Sequence, residues 1–481
     1  MRQRLINTTE PLEINLKGAS ISGRNAVVAE AISLQSLLLD STISKEDWTE
    51  GVKYHSKMVT GLLLNDQIEE FNDYLRVQFG AENPGTQPPA TDYKPILQEL
   101  LQTAILIEHS TIPPYLTALY SIKDGTNALA SQIIRSVAVE EMLHMIMVCN
   151  VMNSVSIQPH VNQEQNYPVY PMKLPMNVDF YVGLEKFSTN SIATFIAIES
   201  PSNPLVKAPV YDHPAELNTA FTKRAAVQEN NLWTLENMQA FIMENVHTIG
   251  EYYDILFFYI SVFQILAYYQ EHGKFPQSFE ELNRGGIFTG DPAKQIRPEQ
   301  YYGSGGKLHA VEALEGVIAV FQEIKGQGEG ADDSIFDVDP SQFEEGAELA
   351  HYFRFKEVFH EHFYLNGNYK PFMDENGMMP VNTPPTGKPL PVDWNEAYPM
   401  KENPKLADYI HNDALHAQGA EFNKTYRRLL DAIQSAVEGN QKELEKSIMY
   451  MYALKEQAVN LMKQPLDSQY NAGPTFEYTN L

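Results

Sequence analysis

Residues 131–151 read SQIIRSVAVEEMLHMIMVCNV, and the spacing within them decides the fold. Ile134, Val137, Glu141, His144 and Val148 recur at intervals of three and four, the stripe that a helix turns towards its packing neighbours. Glu141 and His144 therefore stand one turn apart on a face where Leu or Val belongs. A buried carboxylate or imidazole without a partner is costly. A metal ion would satisfy both.

The device recurs. In residues 101–120 (LQTAILIEHSTIPPYLTALY), Leu101, Ile105, Glu108, Ile112 and Tyr115 form a second seam with Glu108 at its centre. In residues 343–358 (FEEGAELAHYFRFKEV), Glu348-Leu349-Ala350-His351 repeats Glu-x-x-His, and Glu348, His351, Phe355 and Val358 share a stripe. One such match arises by chance. Two on apolar helices, beside a lone Glu in a third seam, supply most of a carboxylate-bridged two-metal bundle. Such a bundle takes a Glu from each of two helices and Glu-x-x-His from the other two.

The rest of the chain frames this site. With 481 residues it exceeds the usual size of a single core, so insertions or further units are expected. The formal charge of −27 argues against nucleic acid or an anionic membrane as partner. The single Cys149 excludes a disulfide framework and points to a reducing, cytoplasmic setting. Lying on the His144 helix, it reads as a small buried residue. The opening MRQRLINTTEPLEINL lacks the apolar stretch of a signal peptide. The most apolar run, ILFFYISVFQILAYY at 255–269, is too short for a membrane span and carries Gln264. It reads as a core helix.

The fold class is mainly α. Residues 1–90 form a helical leader, with helical stretches at 26–39 and 44–79 and the linker AENPGTQPPA at 81–90. The bundle spans 91–365 and holds helices at 93–122, 127–154, 247–270, 307–325 and 340–362, with a long insertion at 155–246. The first two are joined by a short turn and so run antiparallel. Pro113-Pro114 is expected to kink or break the first. Residues 366–481 are a loop followed by helices at 404–437 and 441–463.

The fourth carboxylate has three candidates. On 307–325, Ala310, Leu314, Val317, Phe321 and Ile324 mark the buried direction. At about 100° per residue, Glu323 falls roughly 140° away, and Glu329 roughly 100° away if the helix continues. Glycines flank Glu329 and permit close approach, although GQGEG also reads as a helix end. Glu251, with His247 one turn before it, is the competitor on 247–270. Glu329 is preferred over Glu251, and Glu251 over Glu323.

Several stretches also carry a family likeness. LIEHSTIPPYLTALYSI (106–122), VEEMLHMIMVCNVMN (139–153), HTIGEYY (247–253), FTGDPAKQIRPEQY (288–301), QGEG (327–330) and LAHYFRF (349–355) resemble the ferritin-like domain of the iminophenyl-pyruvate dimer synthase family. The similarity covers residues 95–365, and the closing NAGPTFEY resembles that family's end. Those enzymes act in bisindole pigment pathways of the violacein and rebeccamycin type. They are much longer than this chain, so their dimerising activity is not carried over whole. The resemblance implies a ferritin-like four-helix bundle, to which the chain adds the long loop-rich insertions and extra N- and C-terminal helices read above. It also implies a metal-dependent oxidative role in secondary metabolism. Glu108, Glu141, His144, Glu348 and His351 match the motif positions, and Glu329 matches the Glu of QGEG.

Carboxylates with one imidazole per ion suit two Fe ions, or Mn, better than Zn. The expected function is an oxidase or oxygenase acting on a small, for instance amino-acid-derived, molecule with dioxygen or peroxide. The alternatives are a metal-storage protein and a metal-free bundle serving as a structural or pathway partner. Tyr115 and Tyr352 read as core aromatics before electron relays. No nucleic-acid or membrane partner is expected, and self-association into a homo-oligomer is left open.

Overall fold

The computed structural model describes residues 32–39, 43–79, 92–201, 234–301, 305–329, 349–364 and 384–481. In chain order the helices are α1 Leu34–Leu39, α2 Lys45–Leu64, α3 Ile68–Phe79, α4 Lys94–Ser121, α5 Ala128–Ser154, α6 Thr189–Ile198, α7 Leu235–Asn245, α8 Ile249–His272, α9 Phe279–Leu282, α10 Leu314–Glu329, α11 His351–His360, α12 Asp413–Val437 and α13 Leu444–Met462. Among the described residues there is no strand, only isolated bridges such as Met172 with Val182.

α4 and α5, which carry Glu108 and the Glu141/His144 pair, pack on each other. A tight turn containing Gly125 (φ 83°) and Asn127 (φ 46°) joins them, and the left-handed backbone there suits Gly and Asn. The last three turns of α5 are buried on every side, as expected of a helix that is apolar all round. Pro113 and Pro114 do not break α4, which runs through both. Pro114 has no N–H to donate to the Ser110 carbonyl, and the Tyr170 hydroxyl donates to it instead at 2.8 Å.

α8 is opened by Thr248, whose hydroxyl accepts from the Glu251 N–H at 3.1 Å, and closed by Gly273 at φ 67°. It is the one helix among the described residues long and apolar enough to cross a membrane, yet 83% of its apolar window is buried inside the protein. It packs against α2, α4 and α10. The Tyr252 hydroxyl donates to the Leu100 carbonyl at 2.7 Å and ties α8 to α4. α10 begins at Leu314 rather than at 307, and it continues through the glycines of GQGEG to Glu329. α4, α5, α8 and α10 enclose the centre, while α6 and α11 pack on each other and against this set. α12 and α13 pair outside it, touching α5 and α4.

The stretch 44–79, read as one helix, is two, separated by a turn in which Asp66 has φ 55°. Across that turn the buried His55 on α2 bonds the Tyr74 hydroxyl at 2.7 Å and the Ile32 carbonyl at 2.7 Å. Burial pushes its imidazole down to about 4 despite the carbonyl bond. An unfolded chain protonates this His near 6.5. Folding stability from His55 is therefore whole above that pH and is lost as the pH falls towards 4. Urea unfolding across this interval checks it: the expected slope flattens in His55→Gln.

Candidate metal centre

Inside the bundle, Glu108 of α4 meets Glu141 and His144 of α5, with one donor atom of each within 4.8 Å of the others. His144 Nδ1 lies 3.5 Å from Glu108 Oε2 and 3.5 Å from Glu141 Oε1. A second group shares Glu141 and adds Glu199 and His351, again within 4.8 Å. His351 Nδ1 lies 3.0 Å from Glu141 Oε1 and 3.4 Å from Glu199 Oε2. The two imidazoles stack with ring centres 5.7 Å apart. All five side chains are buried.

The two halves are built alike. Each outer carboxylate turns one oxygen inward and accepts a tyrosine hydroxyl on the other: Tyr253 donates to Glu108, and Tyr115 to Glu199. Each imidazole turns Nδ1 inward and gives Nε2 to a support. His144 Nε2 bonds Gln327 Oε1 at 2.7 Å, and the Gln327 amide donates to Glu323 at 3.0 Å, which fixes the amide's orientation. His351 Nε2 donates to Glu140 Oε2 at 2.7 Å, and Arg354 Nη1 donates to Glu140 Oε1 at 2.9 Å. Supports of this kind set the tautomer and aim of a metal-binding His. Thr111 donates to Glu141 Oε2 at 3.0 Å, leaving Oε1 between the two imidazoles.

Charge in this space is strained. Burial, then the Glu199 carboxylate, pushes Glu141 up. Burial opposes protonation of His144, but Glu141 and Glu108 lift it to about 9. His351 is raised well above its ordinary value by Glu199, Glu140 and Glu141 against the same burial. Glu140 behaves oppositely: despite burial, His351 and Arg354 hold it down at about 2. The cluster thus retains protons that a bound cation would displace. His351 Nδ1 is fully buried and faces the carboxylate oxygens of Glu141 and Glu199 at 3.0 and 3.4 Å. A nitrogen so placed among carboxylate oxygens fits a metal ion. Hard oxygens with one imidazole per group suit Fe or Mn.

Of the residues expected from the sequence, Glu108, Glu141, His144 and His351 come together. Glu348 lies outside the described residues. The helix expected over 340–362 opens only at His351, because Ala350 before it is extended (φ −61°, ψ 157°). Glu329 stands at the rim of the pocket rather than in either group. Glu251 folds back to accept from the His247 N–H at 2.7 Å, and Glu323 supports Gln327.

Glu199, Glu140 and Gln327 were not anticipated. Glu199 follows directly on the apolar TNSIATFIAI of α6, an acid where a buried helix ends. Gln327 extends the Phe321–Ile324 stripe by one more step of three. Glu140 had no signal of its own beyond the Glu-Glu pair.

The fold and site define a helical bundle with two buried Glu/His groups joined through one carboxylate. The Ferritin-like family profile matches residues 101–360, more than half of the chain, and the chain belongs to that family. A solved structure of a ferritin like protein from Caulobacter vibrioides is 18% identical, covering 80% of this chain and 98% of its own with a TM-score of 0.46. No curated protein matches the chain.

Proposed function

We propose that this chain is a metal-dependent oxidase or oxygenase with a di-iron, or dimanganese, centre, acting on a small molecule with dioxygen or peroxide. One observation carries the reading: Glu141 Oε1 stands 3.5 and 3.0 Å from the Nδ1 atoms of two imidazoles whose other nitrogens are already held. The motifs resembling the iminophenyl-pyruvate dimer synthase family support an amino-acid-derived substrate and a place in secondary metabolism. When bound, two redox-active ions supply activation of dioxygen or peroxide and accept electrons from the substrate.

The chain's own residues do the rest. Glu141 would be shared between the two ions, Glu108 with His144 would hold one, and Glu199 with His351 would hold the other. Tyr253 and Tyr115 orient the outer carboxylates. The free space beside the centre is about 20 Å³, room for one water or a diatomic molecule. An organic substrate therefore reacts from outside this space, whose lining includes the apolar Ile198, Ile249 and Ile324.

Elemental analysis after iron-supplemented expression, followed by oxygen-electrode assays with amino-acid-derived substrates, tests the reading. Up to two ions per chain and metal-dependent oxygen consumption are expected. Bound iron without consumption favours storage. One observation favours a second reading, a metal-free polar network: the raised His144 and His351 imidazoles can neutralise the carboxylates themselves. Wild-type chain that stays metal-free after supplementation would establish it.

A further inference from the structure

Among the described residues, one pocket leads from Glu108, Glu141 and His144 past Glu199 to a charged rim formed by Lys325 and Glu329. The rim side chains are 20% and 16% exposed, against 1% and 3% for Glu108 and Glu141. Glu329 is on the way to the centre but in neither donor group. We infer that Glu329 is the uptake ligand of the centre: it takes a divalent cation at the mouth and passes it inward to Glu199, without staying bound itself. This rests on the metal-centre reading above.

Three placements carry the inference. The Glu329 carboxylate lies over Gly250, where a Cβ would sit 2.3 Å from Oε1, so only glycine admits it there. At Gly328 a Cβ would touch Glu199 Oε2 at 3.4 Å. That is the same oxygen that faces His351. Lys325 is committed to Asp254 at 2.6 Å and reaches Glu329 only at 3.7 Å. A cation arriving at Glu329 can therefore replace the lysine while the lysine keeps its closer partner.

The physical need is clear. Between rim and centre the wall is apolar at Ile198, Ile249 and Ile324, and a hydrated divalent ion must shed water to pass. A carboxylate at the rim supplies the first replacement oxygen.

Loading separates uptake from residence. Full-length metal-free protein is mixed with cobalt(II) alone, the visible absorption is followed by stopped flow, and final cobalt is measured by elemental analysis. Glu329→Gln is expected to load about tenfold more slowly than wild type and to reach the same final content. Gly250→Ala, which displaces the carboxylate without removing charge, is expected to do the same. Glu456→Gln, an exposed carboxylate on α13, is expected to load at the wild-type rate. A wild-type rate in Glu329→Gln overturns the inference. So does a lowered final content, which would make Glu329 a resident ligand. Wild type that takes up no cobalt removes the centre itself, a failure read in a different protein and therefore distinguishable.

Discussion

Glu141→Ala is expected to bind no metal at all, while Glu108→Ala and Glu199→Ala each keep one ion. Among the described residues Glu141 is the side chain common to both donor groups, and its Oε1 lies 3.5 and 3.0 Å from the two inward nitrogens. Its loss removes an anionic donor from each ion, whereas the outer carboxylates serve one ion apiece. Elemental analysis of iron-supplemented protein reads the contents, with circular dichroism confirming that the helices persist. Equal metal in Glu141→Ala and wild type would rule out the shared-carboxylate centre.

Arg354→Met is expected to be the most destabilising change near the site. Arg354 and Glu140 are 5% and 1% exposed and bond at 2.9 Å. Removing Arg354 leaves the buried Glu140 carboxylate with the His351 bond alone, at a cost of up to about 3 kcal/mol. Thermal unfolding should fall by several degrees, and adding Glu140→Gln should recover part of it. The pH dependence has a definite sign. His351 and Arg354 hold the Glu140 carboxyl down at about 2. Its contribution is therefore whole above the ordinary Glu range and lost as the pH falls through about 2. Without Arg354 that loss begins at higher pH. An unchanged unfolding temperature would mean that the pair adds nothing.

The inner half of the site was legible because it obeys helical period. Glu108, Glu141 and His144 lie on seams whose other members, Leu101, Ile105, Ile134, Val137 and Val148, are all buried. Periodicity cannot register a residue beyond a helix end, and Glu199 is the C-cap of α6 (φ −85°, ψ 8°). The same limit placed Leu349 and Ala350 inside a helix that opens at His351, where the Ala350 backbone is extended. Glycine left two readings open. GQGEG read as a helix end or as a continuation that brings Glu329 close, and α10 carries on to Glu329, since Gly326 is buried and Gly328 lies against Glu199. Packing against a neighbour outweighed the roughly 1 kcal/mol penalty of each glycine.

The pairing of α6 with α11 has a consequence for the order in which the chain folds. A single hairpin brings Glu108 to Glu141 and His144, so that half needs only one short loop to close. Glu199 and His351 are separated in the chain by α7, α8, α9 and α10. Their meeting carries the larger closure entropy. The first donor group therefore belongs to an early local unit, and the second is completed only when nearly the whole bundle has docked.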